Sequence, residues 1–442
     1  MTLAERGKIF LSRPFQIRNA DEYDLENILD LFIDPTTDGL RGSFDFSNCI
    51  VKGKMGSGKT MYLRANYAYY LYTLVPSLIN EIPVVLPVYI KFSDFQNYHD
   101  PEEIYCAILV RIVEEIVSVC KHLKSAQELA RLHTGAKKLD GLWSTEKEFI
   151  PTLDELRKLT AREYVETVKN GMSTKGTLSA SFFEMCADYD RTIVTEIRRS
   201  DKPSFQNVAN TCERLLSPFD GKLMLLLDEI GSTSKSFFAT KENGSSYFQI
   251  LMNQLRTLTS VRTKIAIYPH SYSDILKETR YGDIIDLECN VDSSVKQYRA
   301  YMTRVVSLIE RYIEKASEIK CSAEDVFDIS VNNQLLIEQL VNASAGNMRR
   351  LIHVLDASMN VAYARGLGVK RVVVDDVWDA LRNQGAEMEN QYQDQDKDFL
   401  LQLVKVCRSR STNKFTFPNK SAVIGRYTNM SEEYNIICAY RL

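Results

Sequence analysis

Two kinds of apolar run alternate along the first part of the chain. Short unbroken runs occur at 48–51 (NCIV), 84–92 (VVLPVYIKF), 222–230 (KLMLLLDEI), 263–270 (TKIAIYPH) and 283–289 (DIIDLEC). Their length and their Val, Ile, Leu and Tyr content predict buried strands. Between them apolar residues recur at helical spacing, in DEYDLENILDLFI (21–33), MYLRANYAYYLYTLV (61–75) and YFQILMNQLRTLT (247–259). Helical segments also fill about 101–216, broken at HTGAKKLDG and KNGMSTKGT, and read as an insertion or an enlarged helical layer between two strands. Strands alternating with helices predict an α/β fold, a parallel sheet with helices on both faces.

From about 295 the pattern becomes helical only, at 295–318, 333–343, 347–365 and 375–384. The polar stretch RNQGAEMENQYQDQDKD (382–398) reads as a linker or a helix start. Residues 399–442 combine a helix with KFTFPN, AVIGRY and IICAYRL, which predicts a small winged-helix-like module. The expected domains are 1–294 (α/β, with the insertion at about 101–216), 295–390 (all-helical) and 391–442 (winged-helix-like). There are no internal repeats.

Composition narrows the class. With 442 residues, 45% hydrophobic and 26% charged, the chain suits two or three globular domains of roughly 100–200 residues each. A net charge of −3 excludes nucleic-acid binding by overall charge, so any such contact needs a local basic patch. The nine cysteines, among them Cys49, Cys106, Cys186 and Cys289, form no C-x-x-C pair and have no histidine at zinc spacing. Free thiols in a reducing compartment are expected. The start MTLAERGKIFLSRPF lacks the apolar region of a signal peptide. No run reaches the ~18 apolar residues of a membrane helix; AYYLYTLVPSLI is interrupted by Pro76. The expectation is a soluble cytoplasmic protein without a membrane partner.

The stretch GKMGSGKT at 53–60 changes the picture. It lies between a predicted strand and a predicted helix, the context in which a glycine loop cradles phosphate. Glycines at 53, 56 and 58 let backbone N–H groups turn inward, and the helix behind the loop adds its positive end. Gly53, Lys54, Met55, Gly56, Ser57, Gly58, Lys59, Thr60 and Met61 are therefore candidate nucleotide-binding residues. Lys59 would reach the β and γ phosphates, and the Thr60 hydroxyl would bind Mg²⁺.

Asp228 and Glu229 close the apolar strand LMLLL, where carboxylates face the ligand crevice of an α/β sheet. Asp228 is a candidate Mg²⁺ ligand, and Glu229 a candidate base that orients the attacking water. Such a pair is also what a helix cap looks like, but the phosphate loop favours the catalytic reading. His270 and Ser271 end the next strand in YPHSYS and could touch the γ-phosphate and water; Pro269 would equally make this a turn. Arg280, in ETRYGDIIDLE, could reach a neighbouring subunit's γ-phosphate, or be a surface arginine. Arg349 and Arg350 open a helix in GNMRRL, where the dipole favours acids, so the pair suits an external anion such as ATP phosphate, or else forms a solvated face.

In this order, these pieces resemble the AAA+ superfamily of P-loop ATPases. LLLDEI and GNMRRL, with the winged-helix-like end, are similar to the initiator type of the origin-recognition and cell-division-control group; STAND switch ATPases are a second relative. The resemblance covers roughly 13–385. It implies an α/β P-loop domain, an all-helical lid, and ATP with Mg²⁺ as cofactors. It further implies Glu229 as catalytic acid with Lys59, His270 or Ser271 as sensor 1, Arg280 as a finger acting in a homo-oligomer, and Arg349 as sensor 2. RPFQIRN (13–19) falls where such proteins line the adenine pocket. Two departures are the PHS at the sensor 1 position and the long insertion. Similar ATPases also serve prokaryotic defence systems, where assembly controls an effector.

Two functions are expected to compete. One is an ATP-hydrolysing switch that assembles with itself or with an effector protein, in antiphage defence. The alternative is a DNA-binding replication initiator or loader. Its residues 403–442 carry Lys405, Arg408, Arg410, Lys414, Lys420, Arg426 and Arg441 against Glu432 and Glu433, with Phe415, Phe417 and Tyr427 interleaved. A scaffold that binds ATP without turnover is disfavoured by Glu229.

Overall fold

The computed structural model describes residues 1–36, 42–134, 205–239, 244–268, 282–287, 295–329, 335–412, 415–417, 427 and 437. In chain order these form α1 (Leu3–Ser12), α2 (Leu25–Leu31), β1 (Cys49–Lys52), α3 (Lys59–Tyr72), α4 (Leu74–Ile79), β2 (Val85–Lys91), α5 (Pro101–Thr134) and α6 (Phe205–Leu216). There follow β3 (Lys222–Asp228), α7 (Tyr247–Thr257), β4 (Val261–Ile267), β5 (Asp283–Asp286) and α8 (Val295–Ser317). Last come α9 (Ala323–Val326), α10 (Leu335–Ser344), α11 (Met348–Gly366), α12 (Val374–Glu389) and α13 (Asp394–Ser409). Two compact units result. One comprises Thr36–Lys52 and Tyr62–Ile285; the other comprises Met1–Pro35, Gly53–Met61 and Asp286–Leu442.

The first unit carries the sheet, in the order β2-β3-β4-β1-β5. The pairings of β2 with β3, β3 with β4 and β1 with β4 are all parallel. Leu223 to Leu227 of β3 are at most 2% exposed, which is why this segment reads as a continuous apolar run. On β2, Leu86, Val88 and Ile90 are fully buried in one core with the α5 stripe Ile104, Ile108, Ile112 and Ile116. The four-residue spacing puts that stripe on one helix face. Each such side chain contributes about 1.5–3 kcal/mol on burial. Phe205, Val208, Ala209, Cys212 and Leu216 of α6 follow the same rule and join the same core.

A buried lysine holds the approach to β1. Lys264 of β4 is 1% exposed, and its Nζ donates to the Ser43 carbonyl (2.5 Å) and Asn66 Oδ1 (2.6 Å). It also lies 5.7 Å from the centre of the Tyr62 ring, whose hydroxyl bonds the same Ser43 carbonyl. Burying an ammonium is tolerated only with such partners. The result ties the segment before β1 to α3 behind it. Asn48 adds to this, since its Oδ1 accepts from Thr263 N at 2.8 Å.

The polar segment 231–239 after β3 is folded down rather than open. It contains 3₁₀ turns at Ile230–Ser232 and Lys235–Phe237, and Phe237 is fully buried against Phe92 and Phe248.

The second unit packs the N-terminal segment on helices. Phe15 is fully buried, stacked on Tyr312 at 5.9 Å and edge-on to Phe327. Arg13 and Arg18 lie 3.5 and 4.0 Å from the buried Asp356 of α11. The helix expected over 21–33 is split. A 3₁₀ turn at Ala20–Glu22 ends at Tyr23, which is extended, bonds the Ile17 carbonyl and meets Tyr312 edge-on; the α-helix starts at Leu25. Thus tertiary contacts of one tyrosine override helix propensity. The polar stretch from 382 is helical up to Glu389. In the C-terminal segment Tyr427 stacks on Tyr392 and Phe399, and its hydroxyl bonds the Asp396 carbonyl. Most of 413–442, on which the winged-helix expectation rests, lies outside the described residues, as does 135–204 of the insertion. No described helix is long and apolar enough to cross a membrane.

Candidate functional site

β1 runs straight into the glycine loop, and α3 begins at Lys59. The three glycines have different reasons to be there. Gly56 and Gly58 have φ of 80° and 96°, in the left-handed region. Gly53 lacks room instead: a Cβ would meet Ser57 Cβ at 3.0 Å and Leu287 Cβ at 3.3 Å, with Ser57 Oγ nearer still. Inside the loop Lys59 is 7% exposed, and its Nζ donates to the carbonyls of Gly53 and Lys54 at 2.8 Å each. Ser57 Oγ is buried without a hydrogen-bond partner among the described residues. A cradle that excludes a side chain, a buried ammonium and an orphaned hydroxyl fit a polyphosphate.

The same unit seats the start of α11 on this loop. Ala345 (φ 48°) and Gly346 (φ 79°) reverse the chain after α10. Asn347 then caps α11, its Oδ1 accepting from Arg350 N at 3.0 Å, while its Nδ2 donates to the Met55 carbonyl at 3.0 Å. The N–H groups of Met348 and Arg349 both donate to the Gly56 carbonyl, at 2.9 and 3.3 Å. Orphan donors at a helix start are thus satisfied by a loop carbonyl. Of the arginine pair read from the sequence, the backbone of Arg349 touches the loop, and Arg350 is 7% exposed.

The acid pair stands at the end of β3. Asp228 is 1% exposed; its Oδ1 accepts from Glu229 N at 2.8 Å and its Oδ2 from the Tyr89 hydroxyl at 2.7 Å. Glu229 leaves the strand with φ 52°, and its Oε1 lies 3.7 Å from Lys91 Nζ. The register pairs Lys91 with Asp228, so Tyr89 and Lys91 occupy one face of β2 while Leu86, Val88 and Ile90 occupy the other. Because the sheet is parallel, β1, β4 and β3 all end on one edge, with Lys52 paired to Ile267 and Leu227 to Ile265. That edge is where α/β sheets bind ligands. Asp228 presents oxygen donors of the type Mg²⁺ takes.

His270, Ser271 and Arg280 lie outside the described residues. Tyr89, Lys91 and Asn347 were missed by sequence reasoning. For Tyr89 and Lys91 the signal was there, as polar atoms alternating with apolar residues at the end of VVLPVYIKF. For Asn347 it was an N-cap residue directly before the arginine pair.

A family model described as ORC-CDC6-like matches residues 13–237, about half of the chain, and so spans both the glycine loop and the acid pair. No curated protein matches.

Proposed function

We propose, from the premise that the chain belongs to the ORC-CDC6-like family, that it is an ATP-binding and ATP-hydrolysing AAA+ switch. The observation that carries the reading is Lys59, held as a buried ammonium by two carbonyls of a glycine loop in which Gly58 faces open space. On ATP binding Lys59 exchanges its two loop carbonyls for the β and γ phosphates. Thr60 and Asp228 would hold Mg²⁺, which when bound neutralises charge on the phosphates. Glu229 takes a proton from the attacking water. Arg349 follows the cap that sits on the loop, consistent with a lid residue that senses the phosphate. Sensor 1 is assigned to His270 or Ser271, and the trans-acting finger to Arg280 in a homo-oligomer. The proposed setting is the cytoplasm, in antiphage defence, with an effector protein as partner.

ATP turnover by the purified chain tests the reading. Lys59→Ala is expected to abolish nucleotide binding, and Arg280→Ala to lower turnover and assembly together. Turnover that survives Lys59→Ala would sink it. A second reading, a DNA-binding initiator or loader, is favoured by the exposure of Lys405 and Arg408 on α13 and of Arg410 directly after it. It predicts log affinity for DNA falling with log salt at a slope of several units.

A further inference from the structure

We propose that Tyr89 is a positioning residue for the metal-site carboxylate Asp228; this rests on the ATP and Mg²⁺ reading above. A carboxylate at a strand end turns about a broad, two-fold torsion, so a hydrogen bond on one oxygen leaves its plane loosely set. In this protein both oxygens are engaged. The backbone N–H of Glu229 holds Oδ1 at 2.8 Å, a contact open to any residue at position 229 except proline. The Tyr89 phenol holds Oδ2 at 2.7 Å and is specific to this side chain.

The phenol is itself aimed by its surroundings. Tyr89 lies on the β2 face opposite the buried Leu86, Val88 and Ile90, in register with Leu226. Its ring meets Tyr67 of α3 edge-on at 6.3 Å and 70°. Strand register and ring packing therefore deliver one hydroxyl to one oxygen of a carboxylate that is 1% exposed. Partners of this kind, hydrogen-bonded to a ligating group, orient it and typically change metal affinity by about 10–100-fold when removed.

Tyr89→Phe keeps the ring and its contact with Tyr67 and deletes only the O–H. The experiment uses the full chain with a slowly hydrolysed fluorescent ATP analogue. Nucleotide affinity is measured in EDTA, and Mn²⁺ is then titrated by electron paramagnetic resonance at saturating nucleotide. Tyr89→Phe is expected to raise the half-saturating Mn²⁺ concentration about tenfold. Metal-free nucleotide affinity should stay at the parent value, while the thermal midpoint falls by a few degrees because a buried carboxylate oxygen loses this hydrogen bond. In an Asp228→Asn background the same change should have no further effect. A shift of less than about twofold overturns the proposal. So does an equal loss of metal-free affinity, which would make Tyr89 merely structural. If the parent chain shows no nucleotide-dependent Mn²⁺ binding, the ATP reading itself falls and the proposal with it. If the parent binds and Tyr89→Phe matches it, only the role of Tyr89 falls.

Discussion

Gly56→Ala perturbs the loop and the start of α11 together. Gly56 has φ 80°, where an L-residue is strained by about 1–2 kcal/mol. The added Cβ would also stand 2.8 Å from Nδ2 and 2.9 Å from Cγ of Asn347, so the amide must move. Moving it breaks the bond to the Met55 carbonyl, about 1 kcal/mol net. It also breaks the cap on Arg350 N, about 1 kcal/mol more. The single substitution should therefore destabilise by about 3–4 kcal/mol. Asn347→Ala alone loses the same bond and cap, about 2 kcal/mol. In the double variant the amide is already gone, so only the backbone strain adds, and the total stays near 3–4 kcal/mol. The cycle should show a coupling of about 2 kcal/mol. Urea denaturation followed by circular dichroism measures all four corners. Costs that add within about 0.5 kcal/mol would refute the argument, because Asn347 would then not be in contact with position 56.

Glu229→Gln should retain ATP binding and lose about 100-fold or more in turnover, read by phosphate release. Phe15→Ala should cost about 3–5 kcal/mol in urea denaturation, since a fully buried ring stacked on Tyr312 is removed. Burial pushes the Cys49 thiol up to about 11 and the Cys120 thiol up to about 12, and raises Cys212 well above the usual range. Thiolate is the reactive form, so at pH 8 all three should resist iodoacetamide in the native chain and label in urea, as mass spectrometry will show. The same shifts favour the folded state below about pH 9; that advantage fades at higher pH, where the unfolded chain's thiols ionise first.

How much could be read in advance depends on where the information lies. β3 was legible because Leu223 to Leu227 are covered on both faces and leave no polar interruption. The glycine loop was legible because conformation and contact both demand residue types at fixed offsets. α1 went unpredicted, although Thr2 and Glu5 form a capping box that marks its start. The break at Tyr23 was not legible, because it depends on Tyr312, far along the chain. Helix-dipole reasoning about Arg349 and Arg350 looked for an anion; it did not foresee that a carbonyl of the loop takes the first two N–H groups of α11.

The long-range contacts also explain why the helpers of the acid pair were hidden while the acids were not. An Asp-Glu pair after an apolar strand announces itself locally. Tyr89 is 139 positions from Asp228, and only the parallel register of β2 with β3 brings it there. Yet the two-residue period that does so is the period that buries Leu86, Val88 and Ile90. A slip of one residue in that register would expose the apolar set and turn both polar residues into the core. The core of this unit is therefore what keeps Tyr89 and Lys91 on Asp228 and Glu229. Selection for packing on one face of β2 and selection for carboxylate geometry on the other act on a single structural variable.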